Sequence, residues 1–200
     1  MKYDLCIVGG AGHVGLPLGV TFANSGAKTV LFDINEAWLK QIESGKFPFK
    51  EQDGDTELKK ALAKKTLFTS SEADAIAESK FILLVIGTPV DEHLNPDWRT
   101  LFRMVDGYMP YFKNGQTLIL RSTVFPGTSE RLQHVLKKKG KRVQVAFCPE
   151  RIVQGNSLKE LRELPQIVSA FNAATVANVS KLFKKISPKI VVTEQPIEAE

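Results

Sequence analysis

Tyr3-Asp4-Leu5-Cys6-Ile7-Val8-Gly9-Gly10-Ala11-Gly12-His13-Val14-Gly15 runs from an apolar segment straight into a glycine-rich turn. Residues 10–15 have the form G-x-G-x-x-G, a weak signal on its own. Here the turn lies between a predicted strand, Tyr3 to Val8, and a predicted helix, His13 to Asn24. Asp33 closes the next predicted strand, Thr29 to Phe32. Strand, glycine turn, helix, strand and acid in that order are the mark of a Rossmann dinucleotide site. Gly10 is read as permitting the tight turn, Gly12 as letting the backbone approach a pyrophosphate, and Gly15 as letting helix and strand pack closely. Gly9 is read as a strand-end residue. The amides and dipole of the helix start then meet phosphate charge, the His13 amide among them, with its ring a lid or filler. Asp33 can accept from both hydroxyls of the adenosine ribose and would repel a 2′-phosphate. Phe32 and Ile34 bring no compensating cation, so NAD is expected rather than NADP.

Outward from this turn, strands and helices alternate. A helix is predicted from Asn35, its N-cap, to Ser44, and Gly45 to Asp53, which contains Pro48, reads as a loop. Asp55–Lys65 reads as helix, 66–69 as strand and 72–78 as helix. Phe81-Ile82-Leu83-Leu84-Val85-Ile86 is a continuous apolar run, as in a strand covered on both faces. Residues 87–97 read as a polar loop. Helices are predicted at 98–112 and 128–139, strands at 117–121, 143–147, 166–169 and 189–193, and a last helix at 173–186. Pro196 to Glu200 reads as a helix start. Regular alternation implies parallel strands with crossover helices on both faces: an α/β doubly wound sheet.

The 200 residues suit one domain with a small extension, and 43% hydrophobic with 24% charged residues is ordinary for a globular chain. The formal charge of +5 suits an anionic ligand without identifying one. Lys137-Lys138-Lys139 reads as a solvated helix end, so no nucleic-acid partner is expected. Cys6 and Cys148 form no disulfide framework or zinc spacing, and no metal is expected. The first strand begins almost at Met1 and no apolar run reaches membrane length, so a cytoplasmic chain with no membrane partner is expected.

Ligands of such folds sit beyond the carboxyl ends of the strands. Three of those ends carry Gly87-Thr88-Pro89-Val90-Asp91, Arg121-Ser122-Thr123-Val124-Phe125-Pro126-Gly127-Thr128 and Cys148-Pro149-Glu150-Arg151-Ile152-Val153-Gln154-Gly155. With Gly12-His13-Val14-Gly15-Leu16-Pro17, Asp33-Ile34-Asn35, Asn95-Pro96-Asp97 and Glu198-Ala199-Glu200, they make the chain resemble the UDP-glucose/GDP-mannose dehydrogenase family over its whole length. The resemblance is to that family's NAD-binding N-terminal domain. It implies that the His13 and Val14 amides lie on the pyrophosphate, Asp33 on the adenosine ribose and Thr88 near the nicotinamide half. It makes Thr123 a residue holding cofactor and a catalytic water, and Glu150 an acid/base or orienting group. Arg151 and Ile152 match positions that contact the sugar nucleotide in members acting on UDP-N-acetylhexosamines.

The resemblance further implies oxidation of a sugar C6 alcohol to a carboxylate in two NAD-dependent steps through a cysteine thioester. The family's reactive cysteine and helper lysine belong to a later segment, and Cys148 occupies a slot with no nucleophilic role. Residues 1–195 are therefore expected to form the NAD-binding domain and 196–200 to begin the helix leading to a catalytic half. The chain alone is expected to be inactive, with a homodimer formed by the whole protein. Gln154 and Gly155, where UDP-glucose members tend to carry a second glutamate, favour a UDP-N-acetylmannosamine or UDP-N-acetylglucosamine enzyme. A UDP-glucose 6-dehydrogenase and a non-catalytic dinucleotide-binding module are the alternatives. Position 38, basic in several relatives, is Trp here, with Lys40 as the substitute cation.

Overall fold

A computed structural model describes residues 1–87 and 98–200. β1 (Tyr3–Val8) leads through the glycine turn into α1 (Gly15–Asn24), followed by β2 (Thr29–Phe32), α2 (Glu36–Glu43), α3 (Gly54–Ala63) and β3 (Leu67–Ser70). α4 (Asp74–Ala77) precedes β4 (Ser79–Leu84), and α5 (Trp98–Gly107) precedes β5 (Thr117–Leu120). Then come α6 (Thr128–Lys138), β6 (Gln144–Phe147), α7 (Ser157–Glu163), β7 (Gln166–Ala170), α8 (Ala173–Phe183) and β8 (Ile190–Val192). The side chain of Asn35 caps α2 as expected, accepting from the Trp38 amide at 3.1 Å.

The strands form one sheet in the order β3-β2-β1-β4-β5-β6-β7-β8. Successive side chains of a strand point to opposite faces. Leu5 and Ile7 of β1 accordingly join Leu16, Phe22 and Leu31 in one core layer. Cys6 and Val8 join Val30, Ile82 and Leu84 in the other. Both faces are covered, which is why the central strands read as unbroken apolar runs. The chain moves outward from β1 to β3, then returns to place β4 on the other side of β1. That reversal opens a crevice beyond the carboxyl ends of β1 and β4, the switch point at which doubly wound sheets bind ligands.

One expectation needs correction. The sheet is not parallel throughout, because β7 runs antiparallel to β6, with Ala146 opposite Ala170 and Phe147 opposite Ser169. A parallel return requires a crossover that spans the sheet. Here the connection holds only the seven-residue α7, about 10 Å long at the usual rise per residue, and α7 lies against α1. The chain re-enters the sheet at the end it left and brings Gln166, the first residue of β7, beside the carboxyl ends of β5 and β6. Pro196–Glu198 form one 3-10 turn. The Glu200 carboxylate accepts the Gly127 and Ser129 amides, the latter at 2.7 Å, and so caps α6.

Candidate functional site

The turn after β1 is built by four glycines with different duties. Gly9, read from sequence as a mere strand end, is the residue with a left-handed backbone, φ +84°. Gly10, expected to supply that turn, instead lies against β2, where a Cβ would come within 2.7 Å of Leu31 Cα. Gly15 packs the start of α1 onto the turn, with a Cβ position 2.2 Å from the Gly9 carbonyl oxygen. A Cβ on Gly12 would meet only the Gly9 oxygen at 3.4 Å, so the fold itself does not demand glycine there. A ligand close to the backbone would. The Gly12 amide donates back to Gly9 O at 3.2 Å. The His13 and Val14 amides donate to no acceptor among the described residues. Two adjacent open N–H groups at a helix start form an anion seat.

Asp33 reaches this turn. Its carboxylate accepts the Ala11 amide at 3.0 Å and the Asn35 amide at 3.0 Å. These bonds fix its direction and leave lone pairs toward a cleft of about 460 Å³ lined by Gly9, Gly12, Asp33, Ile34, Met104 and Tyr108. Ile34, 84% exposed, is an apolar wall rather than a core residue. Tyr108 lays its ring edge-on to Phe32, with centroids 5.6 Å apart. Burial first, then the neighbouring Cys6 and Asp33, raises its phenol above the ordinary value. Sequence reading missed Met104 and Tyr108. Their spacing of one helical turn was the available signal.

Val85, Ile86 and Gly87 floor this cleft and continue into a second, of about 310 Å³, lined also by Val14, Ser122, Thr123 and Glu150. The trough thus runs from Asp33, past Val14, to Thr123 and Glu150. Thr88 lies outside the described residues, as do the other residues of the expected polar loop after Gly87 and the Asn95-Pro96-Asp97 step.

At the far end Glu150 is held by a cation that the sequence reading quoted but gave no role. Arg121, buried at the end of β5, forms an ion pair with Glu150 through Nε and Nη2, while its Nη1 donates to Gln166 Oε1 at 2.9 Å. The guanidinium lies 5.1 Å from the Phe183 ring centroid. Gln166 in turn donates to Pro149 O at 3.3 Å, so the antiparallel β7 braces the Pro149–Glu150 peptide. The other Glu150 oxygen accepts the Arg151 amide at 2.9 Å. Arg151 and Ile152 do not line this trough. The Arg151 guanidinium donates to the Pro165 carbonyl, and Ile152 is half-buried against the core. Both border a separate hollow of about 20 Å³.

The His13 ring stacks on Phe49 at 4.1 Å, with the Trp38 edge 6.2 Å away. The ring is thus part of an aromatic cluster, which also explains the apolar residue at position 38. Lys40 pairs with Glu36 on the exposed face of α2. Cys148 is fully buried, and burial pushes its thiol up to about 12, with Arg121 opposing. It is a neutral core thiol. Native protein should therefore resist alkylation at neutral pH, and two thiols should react once it is denatured, as mass spectrometry would read. The fold favours the neutral thiol, whereas an unfolded cysteine ionises near its ordinary 9.0. The contribution of Cys148 to stability should accordingly fall as pH rises above that value.

Among the described residues no group of three or more His, Cys, Asp or Glu could hold a metal ion, and no helix is long and apolar enough to cross a membrane. Residues 3–187 match the profile of the UDP-glucose/GDP-mannose dehydrogenase family, NAD binding domain. The chain belongs to this family. It is 29% identical over 195 residues to the UDP-N-acetyl-D-mannosamine dehydrogenase of Methanococcus vannielii, covering 95% of this chain and 44% of that protein. The corresponding Methanococcus aeolicus protein is 31% identical over 183 residues, covering 90% and 41%. Among solved structures, UDP-D-ManNAc dehydrogenase from Pyrococcus horikoshii superposes with a TM-score of 0.87 at 27% identity, over 96% of this chain and 47% of that one. The chain thus spans less than half the length of these relatives. The site suits the family's NAD: open amides lie at the start of α1, Gly12 leaves the backbone bare, and a fixed carboxylate at Asp33 borders the adjoining cleft.

Proposed function

We propose that this chain is the NAD-binding N-terminal domain of a nucleotide-sugar 6-dehydrogenase that oxidises the C6 alcohol of a UDP-N-acetylhexosamine such as UDP-N-acetylmannosamine to a uronic acid. The single observation that carries this reading is the trough itself. One end has the Asp33 carboxylate, the middle has Val14, whose amide, like that of the adjacent His13, meets no acceptor among the described residues, and the other end has Thr123 beside an anchored Glu150. When bound, NAD supplies the hydride acceptor for both oxidation steps.

The chain's own residues divide the remaining work. Gly10 and Gly15 let the turn close, and Gly12 keeps it bare. The His13 and Val14 amides hold the pyrophosphate, and Asp33 accepts from the ribose hydroxyls. Thr88 and Thr123 serve the nicotinamide end, and Thr123 also steadies a water. Glu150, kept in place by Arg121, offers a fixed acceptor for a proton or a water hydrogen bond. A carboxylate with one edge fixed by a guanidinium keeps its orientation while its charge acts on the reacting groups. Arg151 and Ile152 meet the sugar nucleotide once Arg151 leaves the Pro165 carbonyl. The relatives' names, all UDP-N-acetyl-D-mannosamine or UDP-D-ManNAc dehydrogenases among those cited, support this substrate class.

Residues 1–195 are the cofactor domain, and 196–200 begin the connection to a catalytic half that brings the nucleophilic cysteine. The complete protein works as a homodimer in the cytoplasm, with a UDP-sugar and no nucleic acid or membrane as partner. The chain alone is expected to bind NAD weakly and to turn over no UDP-sugar. Calorimetry with NAD and NADP, alongside an NADH-formation assay with UDP-N-acetylmannosamine, tests both statements. Failure to bind NAD, or robust turnover by these 200 residues, would overturn the assignment.

A further inference from the structure

The loop between α2 and α3 touches two distant parts of the molecule. At one end Phe49 carries the His13 ring at 4.1 Å, with Phe47 edge-on to Phe49 at 5.5 Å. At the other end Glu51 spreads its carboxylate over the segment after β6. One oxygen accepts the Gly155 amide at 3.2 Å and the other the Leu158 amide at 3.0 Å. The next residue, Gln52, donates its backbone amide to Gly155 O at 3.0 Å. Gly155 has φ +89° and its Cβ position would lie 3.8 Å from Lys50 O, so the two segments lie backbone against backbone.

The loop is itself anchored. Phe47 is buried, its amide donates to Asp55 Oδ1 at 2.8 Å, and its carbonyl accepts Gln41 Nε2 at 2.9 Å. Residues 47–52 therefore form a fixed bridge, with one end on the pyrophosphate turn and the other on the segment that carries Arg151 and Ile152.

We infer that residues 47–52 couple the two ligand segments, so that NAD on the glycine turn steadies residues 151–158 through His13, Phe49 and Glu51. The inference rests on the dinucleotide reading given above. The physical route is contiguous. An anion on the His13 and Val14 amides restrains the turn and with it the His13 ring, and the ring restrains Phe49. Glu51, two residues along a bridge already pinned by Phe47, holds two amides of the far segment. Coupling of this kind needs a chain of packed or hydrogen-bonded groups between the sites and is read in local opening rates. Glu51 is thus a positioning residue for the sugar-nucleotide segment, acting without contact to either ligand.

Amide hydrogen exchange on the 200-residue chain, with and without saturating NAD, tests this. In the unaltered protein NAD should slow exchange at residues 9–15 and also at 151–158. Glu51→Ala should speed exchange at 153–158 about tenfold in the ligand-free protein, the scale of one or two lost hydrogen bonds, and should remove the NAD effect there while leaving it at 9–15. Glu51→Gln, which keeps one acceptor oxygen, provides a milder variant should alanine impair folding, and its effect should be intermediate. Phe49→Leu should keep the ligand-free tether and lose the NAD effect at 151–158. NAD protection confined to 9–15 in the unaltered protein overturns the coupling, as does a Glu51→Ala or Phe49→Leu variant that retains it. Absence of protection at 9–15 in every variant would overturn the dinucleotide reading and the coupling with it. Unchanged ligand-free exchange at 153–158 in both Glu51 variants overturns the tether alone.

Discussion

Replacing Arg121 by methionine is expected to lower the stability of the chain by about 3–5 kcal/mol, the usual consequence of removing one partner of a buried ion pair. The Arg121 side chain is 1% exposed and that of Glu150 is 13% exposed. Taking away the guanidinium leaves a carboxylate with little water and, among the described residues, with the Arg151 amide as its remaining donor, and it frees Gln166 Oε1 as well. Against the 5–15 kcal/mol typical of a whole domain, the loss is a large fraction. The pair is not irreplaceable as packing, however. An Arg121→Met, Glu150→Leu double variant should recover most of the loss, because desolvating two charges offsets much of their attraction. Urea denaturation of the two single variants and the double forms the cycle that separates pair from packing. A cost near zero for Arg121→Met would show that water reaches Glu150 freely and that the anchoring described here is absent.

Much of this site was legible in the sequence, because its requirements are local. A glycine turn followed by a helix start, and an acid at the end of the next strand, each follow from backbone geometry, and parallel pairing of β1 with β2 brings the two together. The duties of Gly9 and Gly10 were exchanged in the reading, since which residue of a Gly-Gly pair adopts the left-handed backbone depends on how β2 packs against the turn. The direction of β7 depends on α7 lying against α1, which local periodicity does not encode. From that one long-range fact came the omission of Gln166 and of the brace on Glu150. Gln166 reaches Arg121 because β7 is antiparallel, and Glu150 is braced because Gln166 is there. Arg121 itself stood in plain view in Arg121-Ser122-Thr123, but a charged residue after a strand reads as solvated until the elements that bury it are known. Glu51 likewise looked like one more loop acid. Its partners, Gly155 and Leu158, lie more than half the chain away and are backbone amides, which leave no mark in composition.

Replacing Asp33 by alanine is expected to weaken NAD binding by roughly a hundredfold to a thousandfold while leaving the fold in place. The carboxylate is held by the Ala11 and Asn35 amides, each at 3.0 Å, so little order has to be imposed when ribose hydroxyls arrive. Hydrogen bonds to a charged group contribute about 1.5–3 kcal/mol each, and a pair of them accounts for the expected loss. Part of the loss comes from within the protein, because without the carboxylate the Ala11 amide is unpartnered and the turn loosens beside the His13 and Val14 amides. Discrimination should change as well as affinity. With the fixed negative charge gone, the repulsion against a 2′-phosphate disappears, so the NAD-to-NADP ratio of affinities should fall toward one. An Asp33→Asn variant should behave in the same direction with a smaller loss, since the amide still offers one acceptor oxygen to Ala11 or to the ribose. Titration of both cofactors by calorimetry, together with the unfolding midpoint of each variant, reads affinity and stability separately. Unchanged NAD affinity in Asp33→Ala, or full rejection of NADP after the charge is removed, would mean that the acid at the end of β2 does not face the bound ribose.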